Sequence, residues 1–128
     1  MESPIDYLGE MLKLQKEFQI KTGFDPLIKD LALAIMCEGS ELSVEAGAKW
    51  WKDYLQNGNR WGSMDPQTAI LQIKIIQDQN KGKIEVEAID VLHFLLCVFL
   101  ACGMTSKIVF EKYCSKMGVN IKRQETGY

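Results

Sequence analysis

Apolar residues recur along this chain at intervals of three and four, and no segment alternates apolar and polar positions in the way a strand requires. Between residues 5 and 22, Ile5, Leu8, Met11, Leu12, Gln15, Phe18 and Gln19 fall on one side of a helical wheel, which predicts an amphipathic first helix. The stretch GFDP ends it, and Asp25-Pro26 supplies a capping side chain followed by the residue whose fixed φ suits a first helical turn. A second helix is predicted from about Leu27 into AKWWKDYL, bending near Gly47. QNGNRWGSM reads as a loop, closed by a second cap-plus-proline start at Asp65-Pro66. A helix over QTAILQIKIIQDQ follows and ends at NKGK. The most apolar helix runs from Ile84 to about Cys102, with Gly103 as its stop. Thr105 or Ser106 then caps a last helix, KIVFEKYCSKM, ended by Gly118, and VNIKRQETGY is left as a polar, irregular tail. The pattern predicts an all-α fold, a bundle of about five helices, with residues 1–128 forming one domain without repeats or linkers.

Composition adds little to that picture except exclusions. A chain of 128 residues with 47% hydrophobic and 25% charged content can bury a core without disulfides or structural metal. The net charge of −2 offers no basic field to nucleic acid or to an anionic membrane. Cys37, Cys97, Cys102 and Cys114 form neither a CxxC nor a Cys/His zinc pattern, so they read as reduced core or near-core thiols of a cytoplasmic protein. The beginning of the sequence has acidic residues and no apolar run, unlike a secretory signal. The apolar stretch from Ala88 to Cys102 is too short to span a bilayer and contains Asp90 and His93.

Candidate chemistry lies in the carboxylates of the two most apolar helices. Glu87 and Asp90 stand three apart within IEVEAIDVLHFLLCVFL, where Leu92, Leu95, Leu96, Val98, Phe99 and Leu100 predict burial. Glu38 and Glu41 are likewise three apart, with Glu45 one turn further on the same side, among Leu31, Leu33, Ala34, Ile35, Met36 and Leu42. An ExxE pair alone is ordinarily a solvated face, because glutamate is seldom buried. Two such pairs on two buried helices predict that the acids converge. Such a cluster repels itself unless cations fill it, protons neutralise it, or lysines such as Lys49 or Lys74 pair with it. Oxygen ligands favour a hard divalent ion, Mg²⁺ or Mn²⁺. His93, the one histidine, reads as a core residue, and a di-iron site is disfavoured because it needs a second histidine.

Five elements in order, CEGSEL, KWWK, EAIDVLHFLL, ACGMT and NIKRQETGY, resemble the dimeric all-α dUTPases, especially phage-type members, within the wider MazG-like group of nucleoside triphosphate pyrophosphohydrolases. The resemblance implies that Glu38, Glu41, Glu87 and Asp90 hold Mg²⁺ against a triphosphate. It places Gln15 near the base, Trp50 or Trp51 and Lys52 beside the nucleotide, and Lys116, Asn120 and Arg123 toward the phosphates. Two features depart from the family: Gln19 stands where an asparagine helps read the base, and the segment from Leu55 to Lys83 lengthens the distance from Glu41 to Glu87. The expectation is Mg²⁺-dependent hydrolysis of a deoxynucleoside triphosphate to monophosphate and pyrophosphate, by a homodimer or higher homo-oligomer. The leading substrate is dUTP; dCTP, dATP or a modified nucleotide is the alternative. Glu41 is expected to take the proton from the attacking water. A non-catalytic helical interaction module is the competing expectation.

Overall fold

The computed structural model describes residues 3–56, 58 and 65–127, which form helices and, among the described residues, no strand. The helices are α1 (Tyr7–Thr22), α2 (Ile28–Glu45), α3 (Trp50–Gln56), α4 (Pro66–Gln79), α5 (Lys81–Ala101) and α6 (Ser106–Thr126). The loop predicted over QNGNRWGSM lies almost wholly outside the described residues. Contacts between Cα atoms gather the chain into two compact units, Met1–Leu31 with Leu95–Tyr128, and Ala32–Phe94. No single described helix is long and apolar enough to cross a membrane.

In the first unit, one carboxylate fixes the starts of two helices. Asp6 caps α1 by accepting the Gly9 amide at 2.9 Å, and its other oxygen accepts the Ser106 hydroxyl at the start of α6. The Ser106 bond first, and the Gly9 bond second, hold the Asp6 carboxyl below the usual carboxylate range. Gly23, at φ +70°, ends α1 in the left-handed conformation that closes many helices. Among the described residues the buried hydrophobic side chains, Leu12, Leu31, Leu96 and Cys97, belong to this unit.

Thr105 caps α6 by accepting the Ile108 amide, as expected. The predicted end at Gly118 is wrong: α6 runs through it to Thr126 and is capped by Gly127. A glycine inside a helix weakens it by about 1 kcal/mol but does not break it while φ stays negative. Gly118 has no positive φ, whereas Gly127 sits at +81°. The segment read as an irregular tail is therefore about two more turns of helix. One face of α6 carries Phe110, Tyr113, Met117 and Ile121, all exposed, with Phe110 at 65%. Tyr7, Leu14 and Phe18 form a similar exposed stripe on α1.

In the second unit, the bend expected near Gly47 is a complete break. Gly47 is buried at φ +96°, a conformation that side chains resist, and a β-carbon there would meet Ile73 at 3.5 Å. The carbonyls that α2 leaves unpaired at this break find donors on α4 and beyond: Gln77 donates to Ala46 O at 3.0 Å and Asn80 to Glu45 O at 3.1 Å. Asp65 caps α4 by accepting both the amide and the hydroxyl of Thr68, with Pro66 in the first turn. NKGK does not separate the next two helices. Asn80 alone closes α4, and α5 begins at Lys81, with Gly82 inside it.

Burial departs from expectation more than the helices do. Leu31 is 2% exposed, but Leu33 at 59% and Met36 at 69% show that α2 is not largely buried. On α5, Leu96 and Cys97 are buried, while Leu92, Leu95, Val98, Phe99 and Leu100 are half-buried. Cys97 is the one core thiol; Cys37, Cys102 and Cys114 are exposed, and all four are free. His93, expected in the core, is exposed. Apolar periodicity marks a face that avoids water without saying what covers it.

Candidate functional site

Helical spacing explains how α2 builds its half of the site. A step of three residues keeps Glu38 and Glu41 on one face, and α5 brings Glu87 to meet them. One carboxylate oxygen from each of these three residues lies within 4.8 Å of the other two. A divalent ion bound at about 2.1–2.5 Å holds pairs of ligand oxygens up to roughly 4–5 Å apart, so the spacing suits one.

Electrostatics make the trio costly as it stands. Oε2 of Glu38 and Oε2 of Glu87 are buried with no hydrogen-bond partner. Loss of solvent, followed by the Glu41 charge and then Asp90, pushes both carboxyls above the ordinary glutamate range. The Glu41 charge acts on both of them, so Glu41 stands at the centre of the group. Among the described residues the one ion pair is Lys107–Glu111 on α6, so neither Lys49 nor Lys74 neutralises the acids. What remains is a proton or a cation, and the donor set of hard oxygens fits the latter.

Asp90 sits half-buried one turn beyond Glu87, near enough to raise Glu38 and Glu87 but outside the close trio. A recess of about 270 Å³ opens beside the acids, lined by Ser40, Glu41, Val44, Glu45 and Glu87. Glu45 was visible in the sequence as one turn beyond Glu41. Its carbonyl oxygen accepts from Asn80 just before the chain break at Gly47, which no spacing announces.

The remaining candidate residues are spread over other elements. Trp50 and Trp51 open α3 and are half-buried, with Lys52 exposed beside them. Lys116, Asn120 and Arg123 are exposed on the second half of α6, in the first unit. On α1, Gln15 donates to Cys97 Sγ at 3.3 Å, and burial pushes that thiol's pKa up, keeping it protonated. Gln19 donates its Nε2 to the Phe24 carbonyl at 3.3 Å, while its Oε1 is buried without a partner. Gln19 also lines a cleft of about 590 Å³ wholly within the first unit.

No protein-family model matches the chain, and no solved structure matches it. Two curated proteins are similar. A dCTP pyrophosphatase of Enterobacteria phage T4 is 28% identical over 96 residues, covering 75% of this chain and 52% of the phage protein. A dCTP pyrophosphatase of Enterobacteria phage LZ5 is 34% identical over 71 residues, covering 53% of this chain and 41% of that protein. The chain thus spans about half the length of the curated relatives it matches.

Proposed function

We propose that this chain is a nucleoside triphosphate pyrophosphohydrolase that cleaves a pyrimidine deoxynucleoside triphosphate to monophosphate and pyrophosphate, with a divalent cation held by Glu38, Glu41 and Glu87. The observation that carries this is the meeting of three carboxylates within 4.8 Å, two of them with an orphaned buried oxygen, and, among the described residues, no cationic side chain paired with them. Similarity to two dCTP pyrophosphatases supports the same class of reaction and moves dCTP ahead of dUTP as the leading substrate.

Hydrolysis of a phosphoanhydride needs phosphate charge neutralised, a water deprotonated and pyrophosphate released. Mg²⁺, with Mn²⁺ as a substitute, would supply charge neutralisation and a more acidic bound water when held by Glu38, Glu41 and Glu87, with Asp90 as the fourth carboxylate. Glu41 lies within 4.8 Å of both other acids and borders the recess, so it is the residue proposed to take the proton from water. Glu45 adds negative charge from the same recess and helps raise Glu87. The phosphate contacts proposed for Lys52, Lys116, Asn120 and Arg123 follow from the resemblance; the exposed ammonium and guanidinium groups of Lys52, Lys116 and Arg123 have the charge for that role, and Asn120 offers amide donors.

A panel of deoxynucleoside triphosphates, with pyrophosphate detection and with or without Mg²⁺, tests the proposal. Release of pyrophosphate from dCTP or dUTP only when Mg²⁺ is present supports it. No release from any nucleotide in the panel would leave the carboxylates as a structural feature.

The exposed stripes of α1 and α6 support a second part of the proposal, that copies of this chain associate as a homo-oligomer. A helix whose residues from 110 to 126 are all exposed gains little from its own chain, and helices in proteins draw most of their stability from packing an apolar face. Light scattering on the full chain, giving a particle of at least twice 14.6 kDa, is the expected result.

A further inference from the structure

The recess beside the acids is bounded by a charge that the trio does not account for. Glu41 and Glu87 belong both to the trio and to the recess, and the third acid of the recess is Glu45, which is not one of the three whose oxygens lie within 4.8 Å of one another. Ser40 and Val44 complete the described lining, which therefore holds three carboxylates and no cationic side chain. Ionised carboxylates only accept hydrogen bonds, so such a place repels a phosphate and holds water or a cation. At about 270 Å³ the recess has room for several waters, each of which takes roughly 30 Å³ in the liquid. The backbone that carries Glu45 is held, although this is the last residue of α2 and helix ends fray. Its carbonyl accepts from Asn80 at 3.1 Å, and the next carbonyl, that of Ala46, accepts from Gln77 at 3.0 Å. One helical turn separates Glu45 from Glu41, and both border the same space within the second unit.

We propose that Glu45 is a positioning residue for hydrolysis: it accepts one hydrogen of the attacking water in the recess while Glu41 takes the other. A water has two hydrogens, and a single acceptor leaves it free to turn about that one bond. Two acceptors a helical turn apart fix both hydrogens, and the orientation of the oxygen lone pairs is fixed with them. As that oxygen bonds to phosphorus, the electron pair of the broken phosphoanhydride bond leaves with the departing phosphate group. One proton passes to Glu41, and the other stays on the oxygen, held by Glu45. Because the recess repels phosphate, it is the side from which water arrives. The acidity of that water comes from the divalent cation proposed above, so the role of Glu45 rests on that reading.

The test compares Glu45→Gln, which keeps an acceptor oxygen and loses the charge, with Glu45→Met, which loses both, each in the full chain. Mn²⁺ binding is followed by water-proton relaxation, without nucleotide or turnover. Glu45→Met is expected to bind Mn²⁺ roughly tenfold more weakly than wild type, the usual loss when a hydrogen-bond partner outside the ligand set is removed. With dCTP, Mg²⁺ and pyrophosphate detection, its kcat should fall roughly ten- to a hundredfold while KM stays within about twofold. Glu45→Gln should lie between Glu45→Met and wild type, because its amide oxygen still accepts. Thermal melts in EDTA separate this from a folding defect: with one like charge fewer, both variants should be at least as stable as wild type. Unchanged Mn²⁺ affinity in Glu45→Met overturns the proposal, as does complete loss of binding, which would make Glu45 a direct ligand. A rise in KM at unchanged kcat, equal kcat in the two variants, or a clear loss of stability in EDTA overturns it too. A wild-type chain that binds no Mn²⁺ or releases no pyrophosphate sinks the reaction proposed for the chain and this role with it. A wild-type chain that does both, matched by Glu45→Met, sinks this role alone.

Discussion

In the second unit, three glutamates stand within 4.8 Å of one another and two of their oxygens are buried without partners; in the first unit, one amide oxygen is in the same condition at the edge of an apolar cleft. Both places are left chemically unfinished by the chain, and what would complete them differs. The carboxylates repel each other and are relieved by positive charge, as a proton or a metal ion. The amide is neutral and is relieved by an N–H group. The size of the opening does not say which chemistry belongs where, since the larger cavity surrounds the neutral group and the smaller one the acids. The type of orphaned atom is the better guide to the ligand.

The sharpest separation of the two places comes from substitution. Glu41→Gln removes the central charge of the trio, and turnover should fall by about 10³-fold or more in a pyrophosphate-release assay. Without divalent ions this variant should melt higher than wild type, because two raised neighbours lose a repulsive partner. A variant that melts lower and still turns over would dissolve the contrast between the units. Gln19→Met should leave the metal-linked stabilisation intact.

Next in size is the response to pH and cation. Glu38 and Glu87 have carboxyls raised above the ordinary glutamate pKa of about 4.3, so the folded chain binds more protons than the unfolded chain above that value. Without divalent ions, stability should therefore fall as the pH rises from about 4.3 through the raised values. On the proposed reading, Mg²⁺ or Mn²⁺ held by the ionised acids should reverse the slope, adding roughly 2.7 kcal/mol at a hundredfold excess over its Kd. Thermal melts across that span, with EDTA or with Mg²⁺, measure both slopes. Identical slopes would mean the acids do not hold the ion.

Two glycine substitutions probe the frames that carry the sites. Gly47→Ala should destabilise by about 1–2 kcal/mol, because φ +96° is unfavourable for alanine. Gly118→Ala should stabilise by up to about 1 kcal/mol, because this position is helical and a β-carbon there meets nothing within 4 Å. A stabilising Gly47→Ala, in denaturant unfolding, would show that the break between α2 and α3 is not imposed by that glycine.

Much of this was legible beforehand because helix signals are local. Asp65-Pro66, Gly23 and Thr105 act through bonds within a few residues, and each terminates or starts a helix where the sequence predicts. The pairing of Glu38 with Glu41 is likewise fixed by helical periodicity. Gly118 misled because glycine stops a helix only where φ turns positive, and that depends on the residues that follow. Burial misled on Leu33 and Met36 because a stripe of apolar residues is equally consistent with a core or with a surface awaiting another copy. The different fates of Gln15 and Gln19 were not legible at all. They share a helix and a residue type, and a long-range contact with Cys97 for one and a local bond to the Phe24 carbonyl past the helix end for the other distinguish them.

Direct titration of Mn²⁺ into the full chain, followed calorimetrically at neutral pH with and without Glu41→Gln, bears most closely on the acidic trio. Saturable binding by the wild-type chain, weakened at least about tenfold in the variant, is the predicted result. Absence of binding at millimolar Mn²⁺, or equal binding by both chains, would contradict it.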